Sequence, residues 1–388
     1  MVSVATDDPR PLALQWPCTR MMLMTVAGFA SFFVTLPSLP AYVASAGNST
    51  AAAGATTTVM LAATVLFQPA VPALLRRLST PATMAVGLVV LGLPAPLLTW
   101  ASSGAGLYSI CALRGVGFAI FTVAGAFMAS ETAPPGRQGE TAGLYGLAAA
   151  IPNVTLLPLA VLLLHAFGFW SIAVIAGLPA VGAALALGGG WRRVAPDRTQ
   201  AESTGATRRA IARSLLPAAV LFAITIASGA VVTILPIERS ELVASVGLLA
   251  FAVAGALARW QAGAQVDRPG RTWLLAGACG VAIVGLLALS AGLSGASDAV
   301  VVAACALLGV GFGAIQCLTL VYSFARTTSS QRPVASAVWN GAFDAGTATG
   351  AVLIGALSAT GLGLGGTFAV LAVLLAAVVP AAVFLTRY

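Results

Sequence analysis

Two charged residues of this sequence, Arg114 and Asp344, lie inside long apolar stretches. A charge in an apolar interior is costly, so such residues are usually paired and functional. Asp344 is a candidate for taking up a proton in one conformation and releasing it in another, and a structural aspartate bonded across helices is the alternative. Arg114 keeps its charge, so it could hold an anion or act on Asp344, and a structural arginine bonded to backbone carbonyls is its alternative. The two residues are the candidate proton-handling groups, although nothing in the sequence shows that they touch.

Aromatic and amide side chains in neighbouring segments are candidates for lining a ligand cavity. Asn340, Asp344 and Thr347 share one stripe of a helix by their spacing. Packing against lipid or neighbouring helices is the alternative for each of these side chains. The candidate ligand-binding residues are Phe29, Phe33, Tyr145, Asn153, Trp339, Asn340 and Phe343.

The residues that catalysis or a metal site would need are missing from the pattern. His165 is the only histidine, and the five cysteines show neither metal-ligand nor disulfide spacing. One histidine and one aspartate in apolar surroundings do not supply the cluster that an enzyme would require. We therefore expect neither an enzyme nor a metal or other cofactor.

The composition excludes a soluble domain. Of the 388 residues, 59% are apolar and 8% are charged, whereas soluble domains carry about 25% charge. Three stretches of 55, 51 and 42 residues contain no charge, at 21–75, 141–191 and 345–386. Each is long enough for two membrane helices of about 20 residues. The runs are continuous and do not alternate, so the sequence predicts an all-α integral membrane protein and not a β-barrel.

Breaks at Gly, Pro, Asn and charged residues divide the chain into twelve predicted transmembrane helices. We expect an N-terminal segment at 1–19, a first half at 20–190, a linker at 191–212 and a second half at 213–388. The predicted helices are 20–45, 52–75, 81–101, 106–130, 140–165, 168–190, 213–236, 242–264, 272–292, 299–325, 334–357 and 366–386.

The basic residues predict the orientation. All 19 are Arg, and 17 of them fall on one side of a twelve-span arrangement, with Arg239 opposite and Arg114 inside a span. The positive-inside rule then places both termini in the cytoplasm. Topology accounts for the net charge of +8, so nucleic-acid binding is not indicated. Alanine richness and Arg without Lys are typical of a GC-rich bacterial genome, so we expect the bacterial inner membrane.

The two halves contain a repeated unit. Residues 111–120 closely match 305–314 at an offset of 194, and 142–146 align with 337–341 at nearly the same offset. The repeat maps the polar stripe at 340–347 onto Tyr145, Ala149 and Asn153. Helices 1–6 and 7–12 are therefore predicted to be two pseudo-symmetric copies, whose polar stripes face each other.

Two six-helix halves joined by a polar loop resemble the major facilitator superfamily, in which substrate binds at the midplane between the halves. Residues 263–271 resemble the loop signature of that superfamily, G-x-x-x-D-R-x-G-R, whereas the equivalent 72–77 of the first half lacks the Gly and the Asp. The resemblance implies a cytoplasmic gate motif made of Gly263, Asp267, Arg268, Gly270 and Arg271.

Further motifs resemble the drug and metabolite efflux branch. Residues 114–117 resemble the R-x-x-G motif of the fourth helix, which is associated with proton coupling, and 35–42 and 133–146 resemble efflux segments. Pro152 and Pro158 of the fifth helix lack the partner glycines that are typical of antiporters. The resemblance implies a monomeric, lipid-embedded, proton-coupled exporter of small organic molecules that works by alternating access. A facilitator or importer of a sugar or other small metabolite is the alternative.

Overall fold

The computed structural model describes residues 11–188, 204–295, 297–358 and 362–385. These residues form helices, turns and short loops, and no strand occurs among them. The α-helices are α1 Trp16–Ser45, α2 Thr50–Phe67, α3 Val71–Arg77, α4 Thr80–Gly92, α5 Gly104–Thr132, α6 Gln138–Phe167, α7 Phe169–Leu187, α8 Thr204–Glu238, α9 Glu241–Val266, α10 Leu274–Leu293, α11 Asp298–Ala325, α12 Arg332–Ser358, α13 Gly363–Ala377 and α14 Val379–Leu385.

These helices form twelve rods. The helices α2 and α3 make one rod, interrupted by the 3-10 turn Gln68–Ala70, because Pro69 and Pro72 lack the N–H that a continuous α-helix needs. The turn Ala95–Thr99 extends α4, and α13 and α14 form the last rod. Ten rods are long and apolar enough to cross a membrane by length and composition. The other two, α6 and α12, have 30 and 27 residues. The prediction of an all-α protein with twelve helices is confirmed.

The predicted linker falls at a gap in the described residues. Residues 191–203 lie outside the part of the chain that the structure describes, and from Thr204 onward the chain belongs to α8. The segment 1–10 also lies outside it, and the first long helix begins at Trp16. The division of the chain into these segments stays a prediction.

Equivalent glycines of the repeat pack equivalent helices. Gly115 of α5 lies against the backbone of α2 at Met60, and Gly309 of α11 lies against the backbone of α9 at Phe251. Small residues let membrane helices approach closely where hydrophobicity supplies no drive for association. The sequence repeat is therefore also a repeat of packing, with α2 and α9 in corresponding places.

Side-chain hydrogen bonds tie the helix ends together at two faces. On one face, Arg20 at the start of α1 donates to the Gly188 carbonyl after α7 at 2.8 Å. On the other, the Tyr42 hydroxyl donates to the Thr99 carbonyl at 3.0 Å. We name the first the arginine-rich face, because Arg20, Arg76, Arg77, Arg137, Arg268, Arg271 and Arg326 lie at or beyond the helix ends there.

Candidate functional site

Asp344 bonds across the two halves. Gln68 of the first half donates from Nε2 to Asp344 Oδ2 at 2.6 Å. Gln68 is buried at the break between α2 and α3, and Asp344 is partly exposed. Because Asp344 is twelve residues along α12 from Arg332, it lies about 18 Å from the start of that helix, near the middle of its 27 residues.

The halves separate beyond Asp344. The face of α12 that points toward Gln68 contains Ala337 and Gly341, and its continuation toward the other end contains Val352 by helical spacing. Ala337 is 9% exposed and Val352 is 71% exposed. On the stripe of α12 that points toward Gln68, side chains between Asp344 and the arginine-rich face are therefore buried. Side chains beyond Asp344 are exposed.

Glycines bring α6 and α9 together on the side of the arginine-rich face. A Cβ added at Gly143 would lie 3.1 Å from the Trp260 carbonyl oxygen, and one at Gly263 would lie 2.9 Å from Gly143 Cα. Gly139 lies on the same stripe of α6 and meets the Gly263 carbonyl oxygen, whereas Gly146, one turn further along, lies against the side chain of Arg259. A backbone-to-backbone contact of this kind leaves no space for a ligand at that level.

The loop that follows α9 also joins the halves. Asp267 accepts hydrogen bonds from the backbone N–H of Gly139 at 2.9 Å and of Glu140 at 3.0 Å. These are the free N–H groups at the start of α6, where the helix dipole favours a negative charge. Arg137 beside them forms an ion pair with Glu140 at 2.7 Å, which raises the pKa of the Arg137 guanidinium.

The remaining residues of the predicted gate motif shape the loop itself. Gly270 has a φ of +77°, a conformation that favours glycine. Arg268 is exposed, and the Arg271 guanidinium lies 6.0 Å from the ring centroid of Trp273. Asp267 and Gly263 are therefore the motif residues that contact the first half directly.

A further hydrogen bond between the halves lies at the same level. The Ser336 hydroxyl of α12 donates to the Val123 carbonyl of α5 at 2.8 Å. Ser336 precedes Asp344 along α12, so this bond also lies between Asp344 and the arginine-rich face. The polar contacts between the halves that involve described residues thus close that side of the molecule.

Four of the five predicted ligand-binding aromatics belong to two clusters, one in each half. In the first half, Phe29 and Phe33 are stacked with ring centroids 6.0 Å apart. In the second half, Trp339 and Phe343 are stacked at 6.1 Å. The repeat relates the clusters, since Phe118 of the first and Phe312 of the second are equivalent positions. Their members are Phe29, Phe32, Phe33, Phe118 and Phe121 in the first half and Phe251, Phe312, Trp339 and Phe343 in the second.

The polar ligand-binding candidates and Trp339 differ in whether their side chains are buried and already hydrogen-bonded within the protein. Trp339 Nε1 donates to Thr319 Oγ1 at 3.1 Å, and Asn340 Nδ2 donates to the Ser336 carbonyl at 2.9 Å. Both side chains are buried, as is Tyr145. Asn153 is partly exposed and lies farther along α6 from the arginine-rich face.

The structure does not bring Arg114 and Asp344 together. Arg114 is fully buried, and its Nη2 donates to the Ser31 carbonyl at 3.2 Å, to Ser31 Oγ at 3.1 Å and to Thr35 Oγ1 at 3.2 Å. Its Nε donates to the Leu91 carbonyl at 3.2 Å. These acceptors belong to α1 and α4 of the first half, which is the geometry of the structural alternative.

Arg259 is a buried charged residue between the halves that sequence reasoning did not single out. It is 9% exposed, and its Nη1 donates to Gln316 Oε1 at 2.7 Å. Its guanidinium carbon lies 5.9 Å from the ring centroids of both Tyr145 and Trp339, which come from different halves. The available signal was its place eight residues before Asp267, inside the apolar run of α9.

A metal site finds no support in the described part of the chain. No group of three or more His, Cys, Asp or Glu side chains that could hold an ion occurs there. The five cysteines are free and buried, and His165 is exposed at the end of α6.

Comparison with solved structures finds the same fold along almost the whole chain. The fucose:proton symporter FucP of E. coli has a TM-score of 0.78 at 16% identity, covering 95% of this chain and 97% of that one. FucP in an outward conformation has a TM-score of 0.75 at 15% identity, covering 95% and 98%. The human organic anion transporter MFSD10 (TETRAN) has a TM-score of 0.75 at 14% identity, covering 95% and 99%. Identities this low show the fold alone.

No curated protein sequence matches the chain. Residues 21–328, well over half of the sequence, match the Major Facilitator Superfamily. The match covers the first predicted half from residue 21, the second half as far as residue 328, and the loop with Asp267. The chain belongs to the major facilitator superfamily, a family of multi-pass membrane transporters that act on small molecules.

Proposed function

We propose that this chain is a proton-coupled secondary transporter of small organic molecules that works by alternating access. The observation that carries the proposal is the hydrogen bond from Gln68 to Asp344 at the level where the halves separate. A carboxylate at this level is reached from the open side, and its protonation changes a contact between the halves. The proton site and the moving interface are therefore the same place.

The amide of Gln68 suits both protonation states of Asp344. Its NH₂ donates to the ionised carboxylate, and its Oε1 is buried without a hydrogen-bond partner. After a rotation of the amide, Oε1 accepts a hydrogen bond from the protonated carboxyl. Each state of Asp344 thus selects a different arrangement between the halves, which is what coupling of a proton to a conformational change requires.

The proposed orientation places the arginine-rich face in the cytoplasm, in accord with the positive-inside rule. The arrangement is then outward-facing, with the contact between Asp267 and the start of α6 as the cytoplasmic gate. Both termini are cytoplasmic in this proposal, and the chain works as a monomer in the bacterial inner membrane.

Export is the proposed direction, because the segments 35–42 and 133–146 resemble the drug and metabolite efflux branch. Import by symport is the second candidate, favoured by the likeness of the fold to a fucose:proton symporter. The same carboxylate can serve export or import. The direction depends on whether substrate and proton bind to the same conformation of the protein or to opposite conformations.

Proton movement in proteoliposomes tests the proposal. The vesicles contain the full chain and a pH-sensitive dye, and a panel of cationic, neutral and anionic compounds is added outside. We expect compound-dependent proton flux from the native chain and its loss in Asp344→Asn, which cannot carry the proton. Protons that move against the compound indicate antiport, and protons that move with it indicate symport.

Asp298→Asn is the matched control, because Asp298 is an exposed aspartate that pairs with Arg239 at 3.3 Å outside the proposed proton site. We expect native flux in this variant. Full coupled flux in Asp344→Asn would remove Asp344 as the proton carrier, and compound flux without any proton signal in the native chain would contradict proton coupling.

A further inference from the structure

Arg259 is a buried guanidinium with few protein partners. Its Nη1 bonds Gln316, and its Nε is buried without a hydrogen-bond partner. Arg114 makes four hydrogen bonds to acceptors of α1 and α4, although its Nη1 is also buried without a partner. None of the ion pairs found among the described residues includes Arg259. Each guanidinium thus has one buried nitrogen without a partner in the described part of the chain, but Arg114 has several protein acceptors around its charge whereas Arg259 has only one, from Gln316.

An uncompensated charge in a membrane protein is expensive, so it is usually retained for a function and neutralised by a partner. The guanidinium offers donors in a planar fork, and Nη2 remains free of the Gln316 bond. The partner that fits such a fork is a carboxylate, which accepts two parallel hydrogen bonds.

The position of Arg259 connects it with the proposed cavity. The helix α9 runs toward the arginine-rich face, and side chains of a helix lean toward its N-terminus, so the Arg259 side chain leans toward the membrane centre. Trp339 lies beside its guanidinium at 5.9 Å and stacks on Phe343 at 6.1 Å. Phe343 precedes Asp344 directly, so a continuous row of contacting side chains leads from Arg259 to the level of Asp344.

The surroundings of the guanidinium fix its orientation. The guanidinium carbon lies 5.9 Å from the ring centroids of Tyr145, in the first half, and of Trp339, in the second. At this distance aromatic rings attract a cation. Gly146 has no side chain, and a Cβ there would collide with Arg259 Nε and Cδ. A guanidinium held in this way is ordered before a ligand arrives, which lowers the entropic cost of binding.

We infer that Arg259 receives a carboxylate of the substrate, so the transported molecules are small organic anions. The apolar body of such a molecule packs on Trp339 and Phe343 while its carboxylate bonds Arg259. This inference rests on the proposed transport function and adds the chemical class of the substrate. It makes Arg259 a specificity-determining residue of the site.

Matched acid and amide pairs test the inference by isothermal titration calorimetry on the full chain in lipid nanodiscs. The probes are benzoate and benzamide, cyclohexanecarboxylate and cyclohexanecarboxamide, and 1-naphthoate and 1-naphthamide. We expect the native chain to bind at least one acid about tenfold or more tightly than its amide, the effect of a charge-assisted hydrogen-bond pair. Arg259→Gln should bring this ratio close to one, and Arg259→Lys should retain part of it.

Two further variants separate recognition of the anion from a structural role. Arg76→Gln removes an exposed arginine of the arginine-rich face and should leave the ratio unchanged. Arg259→Glu should reverse the charge preference, so that 1-naphthylmethylammonium binds more tightly than 1-naphthoate. A residue that only holds helices together does not produce such a reversal.

The inference is wrong if no acid binds more tightly than its amide, or if the preference survives in Arg259→Gln. In either case, proton flux that depends on Asp344 would still support the proposed function. Conversely, acids bound through Arg259 by a chain without proton flux would uphold the inference and overturn proton coupling.

Discussion

Arg114 shows how a buried guanidinium can bond to backbone and hydroxyl acceptors without a counter-charge, although its Nη1 is left without a partner. Its guanidinium reaches Leu91 of α4 and both Ser31 and Thr35 of α1, so it ties three helices of the first half together. Carbonyl and hydroxyl dipoles take the place of water around the charge. The repeat position in the second half is the apolar Leu308, so this tie exists in one half alone.

We expect Arg114→Lys to lower the free energy of unfolding by about 2 kcal/mol, because an ammonium cannot reach the acceptors of α1 and α4 together and bonds to charged donors are worth about 1.5–3 kcal/mol each. Thermal unfolding of the purified chain in detergent measures the change, and Arg76→Lys at an exposed position is the control. An unchanged melting temperature would show that the fork geometry of Arg114 is irrelevant to stability.

The sequence predicts which residues are unusual but not which of them meet. Asp344 could be singled out because its charge interrupts a long apolar run. Gln68, its partner, is neutral and lies 276 positions away, so only the packing of the halves reveals the pair. Arg259 lies in the last two turns of α9, and in the sequence it looks like one of the basic residues that set the orientation. Its burial depends on Tyr145, which belongs to the other half.

At the scale of the helices, the contact between α6 and α9 depends on residues without side chains. Gly139, Gly143 and Gly146 form one stripe of α6, and Gly263 faces them from α9. The spacing of these glycines can be read from the sequence. Glycines are frequent in this chain, however, and the sequence does not show which helix packs against each stripe. The breaks in the rods follow proline more directly, as at Pro69 between α2 and α3.

We expect Gly263→Ala to separate α6 from α9, because the added methyl would collide with the Gly139 carbonyl oxygen, which belongs to backbone and cannot move aside. Spin labels are attached at the exposed positions Pro135 and Pro269 of the arginine-rich face. Double electron–electron resonance measures the distance between the two labels and so reports the separation. The label distance should become longer than in the native chain.

Gly280→Ala is the control for this change, since an added methyl on that helical glycine of α10 meets nothing within 4 Å. Its label distance should equal the native one. A native distance in Gly263→Ala as well would mean that the contact between α6 and α9 does not hold this face closed.

For the molecule as a whole, the two halves are joined on one side of Asp344 and separate on the other. Loop, backbone and side-chain contacts lie at three levels between the arginine-rich face and the membrane centre, at Asp267, Gly263 and Ser336. Opening this side requires all of them to break, so the change must be a movement of one half against the other. Because both halves are built from the same unit, the repeat also allows the reverse arrangement, in which the halves join on the opposite side.

This arrangement predicts opposite water accessibility at two positions on one face of α12. Val352→Cys should react quickly with a charged, membrane-impermeant maleimide applied from the side opposite the arginine-rich face, whereas Ala337→Cys should stay unreacted, since Val352 is 71% exposed and Ala337 is 9% exposed. The five native cysteines are buried, so labelling reports the introduced thiol. Gly263→Ala should slow labelling at Val352→Cys, because the halves that part on one side must approach on the other. Equal labelling of both positions, or slow labelling of Val352→Cys in the native chain, would show that this face of α12 does not border an open cavity.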